Sequence, residues 1–97
     1  RVLFRGEGKA FLTPSAAFAL CDAGVLLVGT DACSIASPDA EEETHREFLE
    51  RETVILEGLC LDGVPDGRYL LAAFPIKIHG AEGSPVRAVL IKSDNTE

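Results

Sequence analysis

Hydrophobic and polar positions in the first part of the chain alternate between strand-like and helical patterns. Val2-Leu3-Phe4 is typical of the end of a strand, and the glycines after it predict a break. Thr13 followed by Pro14 predicts a helix start, because a hydroxyl caps the first turn and proline needs no N–H there. Apolar residues then keep helical spacing up to Gly24, which predicts the end of this helix.

Two apolar runs without alternation predict short strands that are covered on both faces. They occupy residues 25–28 and 53–56. Between them, a loop of small residues leads to Asp39, which we expect to cap a helix that runs to about residue 50. The acidic residues 41–43 suit the first turn of this helix because the macrodipole favours negative charge there, and we expect them to be solvated.

The last thirty residues predict a β-hairpin. Residues 68–79 have the pattern of a long strand, in which Pro75 indicates a bulge or an edge. Residues 80–85 form a predicted turn, residues 86–92 a returning strand and residues 93–97 a frayed tail. With the alternating helices and strands before it, the hairpin indicates an α/β fold with a mixed sheet and two helices.

Length and charge exclude several classes of protein. The chain has 97 residues, and its 9 basic and 16 acidic side chains give a formal net charge of −7. A nucleic-acid backbone or an anionic membrane surface needs clustered basic residues, and these do not cluster, so we expect neither partner. No apolar run approaches the roughly 20 residues of a membrane helix. The length allows one small domain or a part of a larger one.

Cysteine usage indicates a cytoplasmic protein. The three cysteines, Cys21, Cys33 and Cys60, are odd in number and lack CxxC spacing, so they fit neither a disulfide framework nor a Cys-rich zinc site. We expect reduced and mostly buried thiols. The alternative is a reactive thiol at Cys33, in a loop that contains serine.

His45 and Glu57 are the strongest candidates for chemistry. Phe48 and Leu49, three and four residues after His45, place it on the predicted core-facing side of its helix. Glu57 ends an apolar strand, where a desolvated carboxylate needs a metal, a cation or hydrogen-bond donors. A helix that leads into an adjacent parallel strand can bring the two together, and histidine with carboxylate suits Zn²⁺ or Mn²⁺. Alternatively, His45 is a structural histidine and Glu57 a solvated strand end.

Two further residues stand in places of interest. Asp31 ends its apolar strand as Glu57 does, and ligands of open α/β sheets bind outside the carboxyl ends of strands. The alternative for Asp31 is a carboxylate that turns into solvent or caps the next turn. His79, beside Gly80 at a strand end, is expected at the surface.

Several motifs in order resemble the cyclase family, which includes bacterial kynurenine formamidase (arylformamidase) and isatin hydrolase. Residues 24–35, GVLLVGTDACSI, are similar to the family's GVxLVGIDxxS segment. The strings around His45 and Glu57 are similar to the family's AHxxLL and IIEGL. Residues 71–80 and 83–89 resemble LPLKIxGxDGSPVRAV. The resemblance covers residues 12–91.

The resemblance implies a metal-dependent hydrolase of amide, formamide or lactam bonds with a swivelling β/β/α-like domain. The family's metal ligands come from an N-terminal HxGTHxDxPxH segment and from a later His and Glu, which match His45 and Glu57. Asp31 and Ser34 match positions near the site, where we expect structural or supporting roles. The chain departs from the family in having no HxGTHxD segment and only two histidines, and Ala36 replaces a frequently acidic residue.

We therefore expect residues 1–97 to form the C-terminal part of a cyclase-family hydrolase domain. In the complete protein it would hold a divalent metal, Zn or Mn, and act on a small-molecule amide or lactam, with a homo-oligomeric assembly expected. The alternative is a truncated or degenerate relative that serves as a non-enzymatic self-associating or binding module. A metal-free small-ligand domain is a third, weaker interpretation.

Overall fold

A parallel three-stranded sheet with two helical crossovers forms the first part of the protein. In the computed structural model, which describes residues 1–92, β2 lies between β1 and β3. Its elements in chain order are β1 (Val2–Phe4), α1 (Pro14–Asp22), β2 (Leu27–Thr30), a 3₁₀ turn (Pro38–Ala40), α2 (Glu41–Leu49) and β3 (Val54–Leu56). Because parallel neighbours need a long crossover, each helix leads from one strand to the next.

The core of this part lies between the two helices and one face of the sheet. Its fully buried apolar residues are Ala17, Val28, Ile35, Ala36 and Phe48. Val28 pairs with Ile55 of β3, and both side chains therefore point to the same face, where they pack in this cluster. The helices pack directly on each other. This packing fixes α2, which carries His45, against the strand that precedes Glu57.

The ends of α1 follow the predicted capping chemistry. Thr13 Oγ1 accepts a 3.1 Å hydrogen bond from the Ala16 N–H. Gly24 has a φ of 89°, and its N–H and that of Val25 donate to the last turn of the helix. Because the Val25 N–H is used in this way, β2 begins at Leu27, two residues later than predicted.

Two expectations for the second helix are wrong. Asp39 does not cap it: the residue lies in the 3₁₀ turn, and its carboxylate accepts a 2.7 Å hydrogen bond from the Ser37 hydroxyl. Leu49 does not face the core, since it is 58% exposed while the buried residues of α2 are Thr44 and Phe48. His45 therefore lies at the edge of the buried side of α2, where its ring is shielded but reachable.

A β-hairpin follows as a second compact unit, which begins at Val64, whereas the first unit is Arg1–Gly63. Strands β4 (Leu70–Pro75) and β5 (Val86–Ile91) pair antiparallel. The first strand is shorter than the predicted 68–79 and ends at Pro75, which has no N–H to donate. The α/β class, the two helices and the hairpin are confirmed, and the parallel and antiparallel pairings belong to separate sheets. The predicted tail, 93–97, lies outside the described residues.

The structure also bears on the cysteines and on membranes. Cys33 and Cys60 are exposed and Cys21 is half-buried, so the expectation of mostly buried thiols is wrong for two of the three. Both exposed cysteines lie on segments that follow a strand. Within residues 1–92, neither the length nor the apolar character needed to cross a bilayer is found in any helix.

The end of α2 provides a test of backbone strain. Glu52 has a φ of 58°, a conformation that suits glycine, and its N–H donates to the Leu49 carbonyl as a helix-ending turn requires. We expect Glu52→Gly to raise the free energy of unfolding by about 0.5–1 kcal/mol, since relief of strain outweighs the added chain entropy. Chemical denaturation measures the change. Gly24→Ala, at the matching position of α1, should lower stability instead, and a stabilised Gly24→Ala would contradict this account.

Candidate metal centre

The structure brings His45 and Glu57 into direct contact. His45 Nε2 lies 2.8 Å from Glu57 Oε2, and the two side chains are 23% and 32% exposed. The imidazole comes from the middle of α2, and the carboxylate from the residue directly after β3. The pair therefore sits at the carboxyl edge of the parallel sheet, partly shielded and open to solvent on one side.

Backbone contacts hold the Glu57 carboxylate in this position. Its Oε2 also accepts a 2.9 Å hydrogen bond from the Ile35 N–H. The segments after β2 and β3 run side by side, because the Gly58 N–H donates to Ala32 O and the Leu59 N–H to Thr30 O. Glu57 thus finds both a donor N–H and the His45 ring, which offset the loss of hydration at a strand end.

The second ring nitrogen of His45 also has a partner. His45 Nδ1 lies 2.8 Å from the Glu41 carbonyl oxygen, one turn earlier in α2. Partial burial lowers the pKa of His45, but the Glu41 carbonyl and the Glu57 carboxylate outweigh it, so the pKa lies above its ordinary value. With an acceptor at each nitrogen, the imidazolium donates in both directions. A proton on Nε2 thus occupies the side of the ring that faces Glu57.

The donor set of the pair fits one part of a metal site. Imidazole nitrogen and carboxylate oxygen are ligands of Zn²⁺ and Mn²⁺, and a metal-binding histidine usually donates its other N–H to a carbonyl or carboxylate. The Glu41 carbonyl is such a partner for His45. Within residues 1–92, no group of three or more His, Cys, Asp or Glu side chains is arranged to hold a metal. Catalytic zinc sites take three protein ligands, so the pair is an incomplete set.

Ser34 lies beside this pair, whereas Asp31 does not. The Ser34 hydroxyl donates a 2.9 Å hydrogen bond to Glu41 Oε1. Asp31 instead accepts from the N–H groups of Gly6, at 3.1 and 3.2 Å, and of Gly8, at 3.2 Å. The hydrogen bond from Gly6 is the main reason that the pKa of Asp31 lies below its ordinary value. Asp31 thus ties the end of β2 to the loop after β1.

Sequence reasoning missed two groups that hold the pair. One is the Ile35 N–H, because the type of a side chain does not indicate which backbone N–H groups are available as donors. The other is Glu41, whose place in the acidic run predicts only a solvated side chain. Its spacing of four residues from His45 is the available signal, because such residues adjoin on a helix. His79 is exposed in the hairpin unit, as predicted.

Sequence comparisons relate the chain to curated proteins. No family model matches the chain. A kynurenine formamidase of Salinibacter ruber is 50% identical over 80 residues, which are 81% of this chain and 38% of the relative. Cyclase-like protein 2 of Arabidopsis thaliana is 42% identical over 96 residues, 94% of this chain and 35% of the relative. The chain thus spans little more than a third of the length of these curated relatives.

Solved structures show the same fold. A protein described as a potential metal-dependent hydrolase with cyclase activity superposes with a TM-score of 0.77 at 36% identity, over 82% of this chain and 40% of that one. A predicted metal-dependent hydrolase from Bacillus stearothermophilus matches with the same TM-score and identity. The chain therefore has the fold of a part of these two structures. The chain belongs to the family of kynurenine formamidases and cyclase-like proteins.

The contacts of Asp31 predict a pH-dependent stability. Because its pKa is lowered on folding from 3.8, the stabilisation is present above that pH and is lost as the pH falls through the folded-state value. We expect Asp31→Asn to be less stable than the parent near neutral pH, with a gap that narrows below pH 3.8.

Urea denaturation at several pH values measures this gap. Asp22→Asn, the same change in the last turn of α1, is the matched control and should show a smaller gap near neutral pH. An Asp31→Asn gap that stays constant as the pH falls would contradict the assignment.

Proposed function

We propose that the chain is the C-terminal part of a metal-dependent amide or formamide hydrolase and supplies two ligands, His45 and Glu57, to its divalent metal. The carrying observation is the 2.8 Å approach of His45 Nε2 to Glu57 Oε2 at the carboxyl edge of the sheet. The kinship with kynurenine formamidases supports a small-molecule amide as the substrate class of the whole protein. The descriptions of the matched structures support a metal.

His45 and Glu57 would hold a Zn²⁺ or Mn²⁺ ion, whose Lewis acidity would polarise the scissile carbonyl and lower the pKa of a bound water. The residues of this chain orient and charge-balance that centre. The Glu41 carbonyl accepts a hydrogen bond from His45 Nδ1, so Nε2 is on the side of the ring that faces Glu57. There Nε2 would bind the metal once it has released its proton. The Ile35 N–H donates to the same Glu57 oxygen that contacts His45 and so helps to fix the carboxylate. The remaining ligands and the general base would come from residues outside this chain, as the incomplete donor set requires.

Metal titration of the 97-residue chain tests this proposal. We expect weak binding of Zn²⁺, because two ligands do not complete a site. His45→Ala and Glu57→Ala should each weaken it by more than about 10-fold, whereas His79→Ala should leave it unchanged. Isothermal titration calorimetry measures the affinities. Equal binding by His45→Ala and the parent would contradict the ligand assignment.

Catalysis by the same chain is a separate test. We expect no zinc-dependent hydrolysis of an aryl formamide, because the described residues, 1–92, bring no third ligand to His45 and Glu57. A spectrophotometric assay with excess Zn²⁺ measures turnover. Robust turnover that is lost in Glu57→Ala would contradict the proposal that further ligands and the general base come from outside this chain.

A second candidate function is a self-associating module. The observation that favours it is an exposed face of the hairpin. In the antiparallel register, Leu70 pairs with Ile91 and Ala72 with Val89, so their side chains share a face with Phe74. Leu70 and Phe74 are each 65% exposed. Arg87, opposite Phe74, adds one charge at the end of this face. Large exposed apolar patches mark interaction surfaces. We propose a second copy of the chain as its occupant.

Sedimentation velocity tests the second candidate. We expect a concentration-dependent shift to a dimer or larger species, and Phe74→Lys should restore the monomer because it places a charge in the apolar contact. Leu49→Lys, at a similarly exposed position of α2, is the control and should still associate. A compact monomer at all concentrations would contradict self-association.

A further inference from the structure

The residues before α2 form a connected set of hydrogen bonds around His45 that the metal ligands alone do not explain. Ser34, Ile35 and Ala36 are consecutive. Ser34 Oγ donates to Glu41 Oε1 at 2.9 Å, and the Ile35 N–H donates to Glu57 Oε2 at 2.9 Å. The same loop thus contacts the residue that bonds His45 Nδ1 and the residue that bonds His45 Nε2.

The loop of Ser34, Ile35 and Ala36 is held in place because the two residues after Ser34 are buried. Ile35 is 1% exposed and Ala36 is fully buried in the core. The Ile35 carbonyl accepts a 2.8 Å hydrogen bond from the Leu12 N–H. The Ala36 N–H donates to Ser34 Oγ at 3.1 Å, which occupies a lone pair of the hydroxyl and leaves its proton for Glu41.

Glu41 differs in this respect from its neighbour in the acidic run. Glu42 pairs with Arg46 one turn later, on the exposed side of α2. Glu41 is the first residue of α2, so an anchor on its side chain restrains the first turn of the helix. The carbonyl that faces His45 Nδ1 belongs to the same residue. The side chain and the backbone of Glu41 therefore connect the loop of Ser34, Ile35 and Ala36 to the His45 imidazole.

We propose that Glu41 is a positioning residue for His45, held in place by the Ser34 hydroxyl. The Ser34–Glu41 hydrogen bond fixes the Glu41 carbonyl, and this carbonyl holds the His45 ring so that Nε2 faces Glu57. The inference rests on the proposed function insofar as it concerns metal affinity, but the orientation of the ring is independent of any metal.

NMR of the metal-free chain tests the orientation. The chain has two histidines, so His79 serves as an internal reference for the ring signals of His45. We expect the parent to show cross-relaxation between the His45 ring and the Glu57 methylene protons. Glu41→Ala and Ser34→Ala should lose this signal, and Glu41→Gln should retain it because an amide oxygen still accepts from Ser34. Glu42→Ala is the matched control.

Zn²⁺ titration of the same variants gives the second readout. Groups that orient a metal ligand contribute about 10- to 100-fold in affinity, and we expect a loss of about 10-fold in Glu41→Ala with none in Glu41→Gln or Glu42→Ala. If no variant, including the parent, binds Zn²⁺, the ligand assignment fails and the ring signals alone decide the positioning role. Glu41→Ala that matches Glu42→Ala in its ring signals would overturn the proposal.

Discussion

The His45 imidazole and the Glu57 carboxylate form the contact that defines the candidate metal site. It joins the middle of α2 to the residue after β3 at a distance of 2.8 Å. A partly shielded ionisable pair is costly unless its polar atoms find partners. Here the Ile35 N–H and the Glu41 carbonyl supply them. The topology makes the contact possible, because helix and strand belong to one βαβ crossover.

The charge of the protein is consistent with a cation at this place. Acidic and basic residues balance within 64–97, so the net negative charge lies entirely in residues 1–63, which carry His45 and Glu57. Such an excess attracts cations over distances of about the Debye length. The field does not by itself select a metal, whereas the nitrogen and oxygen donors favour Zn²⁺ or Mn²⁺. Composition and donor chemistry therefore point in the same direction.

Much of the fold could be predicted because local chemistry and tertiary packing agree there. Thr13 and Gly24 bound α1 as their capping chemistry requires. The pattern was less informative where a residue has two possible uses. Val25 extends an apolar run, yet its N–H is needed to end the helix. Asp39 is a good helix cap, yet Ser37 engages its carboxylate within the 3₁₀ turn.

The candidate site, too, could be predicted only in part. The approach of His45 to Glu57 followed from a helix that leads into a neighbouring strand, but the groups that orient the pair did not. The sequence does not indicate which backbone N–H groups act as donors, as the Ile35 N–H does. Glu41 lies in a run of three acidic residues, and the sequence does not distinguish it from the other two. Asp31 matched a family position near the site, yet its contacts are to the loop after β1. These contacts give Asp31 a structural role at the end of β2.

X-ray absorption at the zinc edge distinguishes metal binding by His45 and Glu57 from binding by other residues. With Zn²⁺ bound to the chain, we expect scattering from one imidazole nitrogen at about 2.0–2.1 Å and from a carboxylate oxygen at about 2.0–2.2 Å. The imidazole contribution should vanish in His45→Ala. A shell of sulfur at about 2.3 Å, from the exposed Cys33 and Cys60, or the absence of imidazole scattering would contradict metal binding by His45 and Glu57.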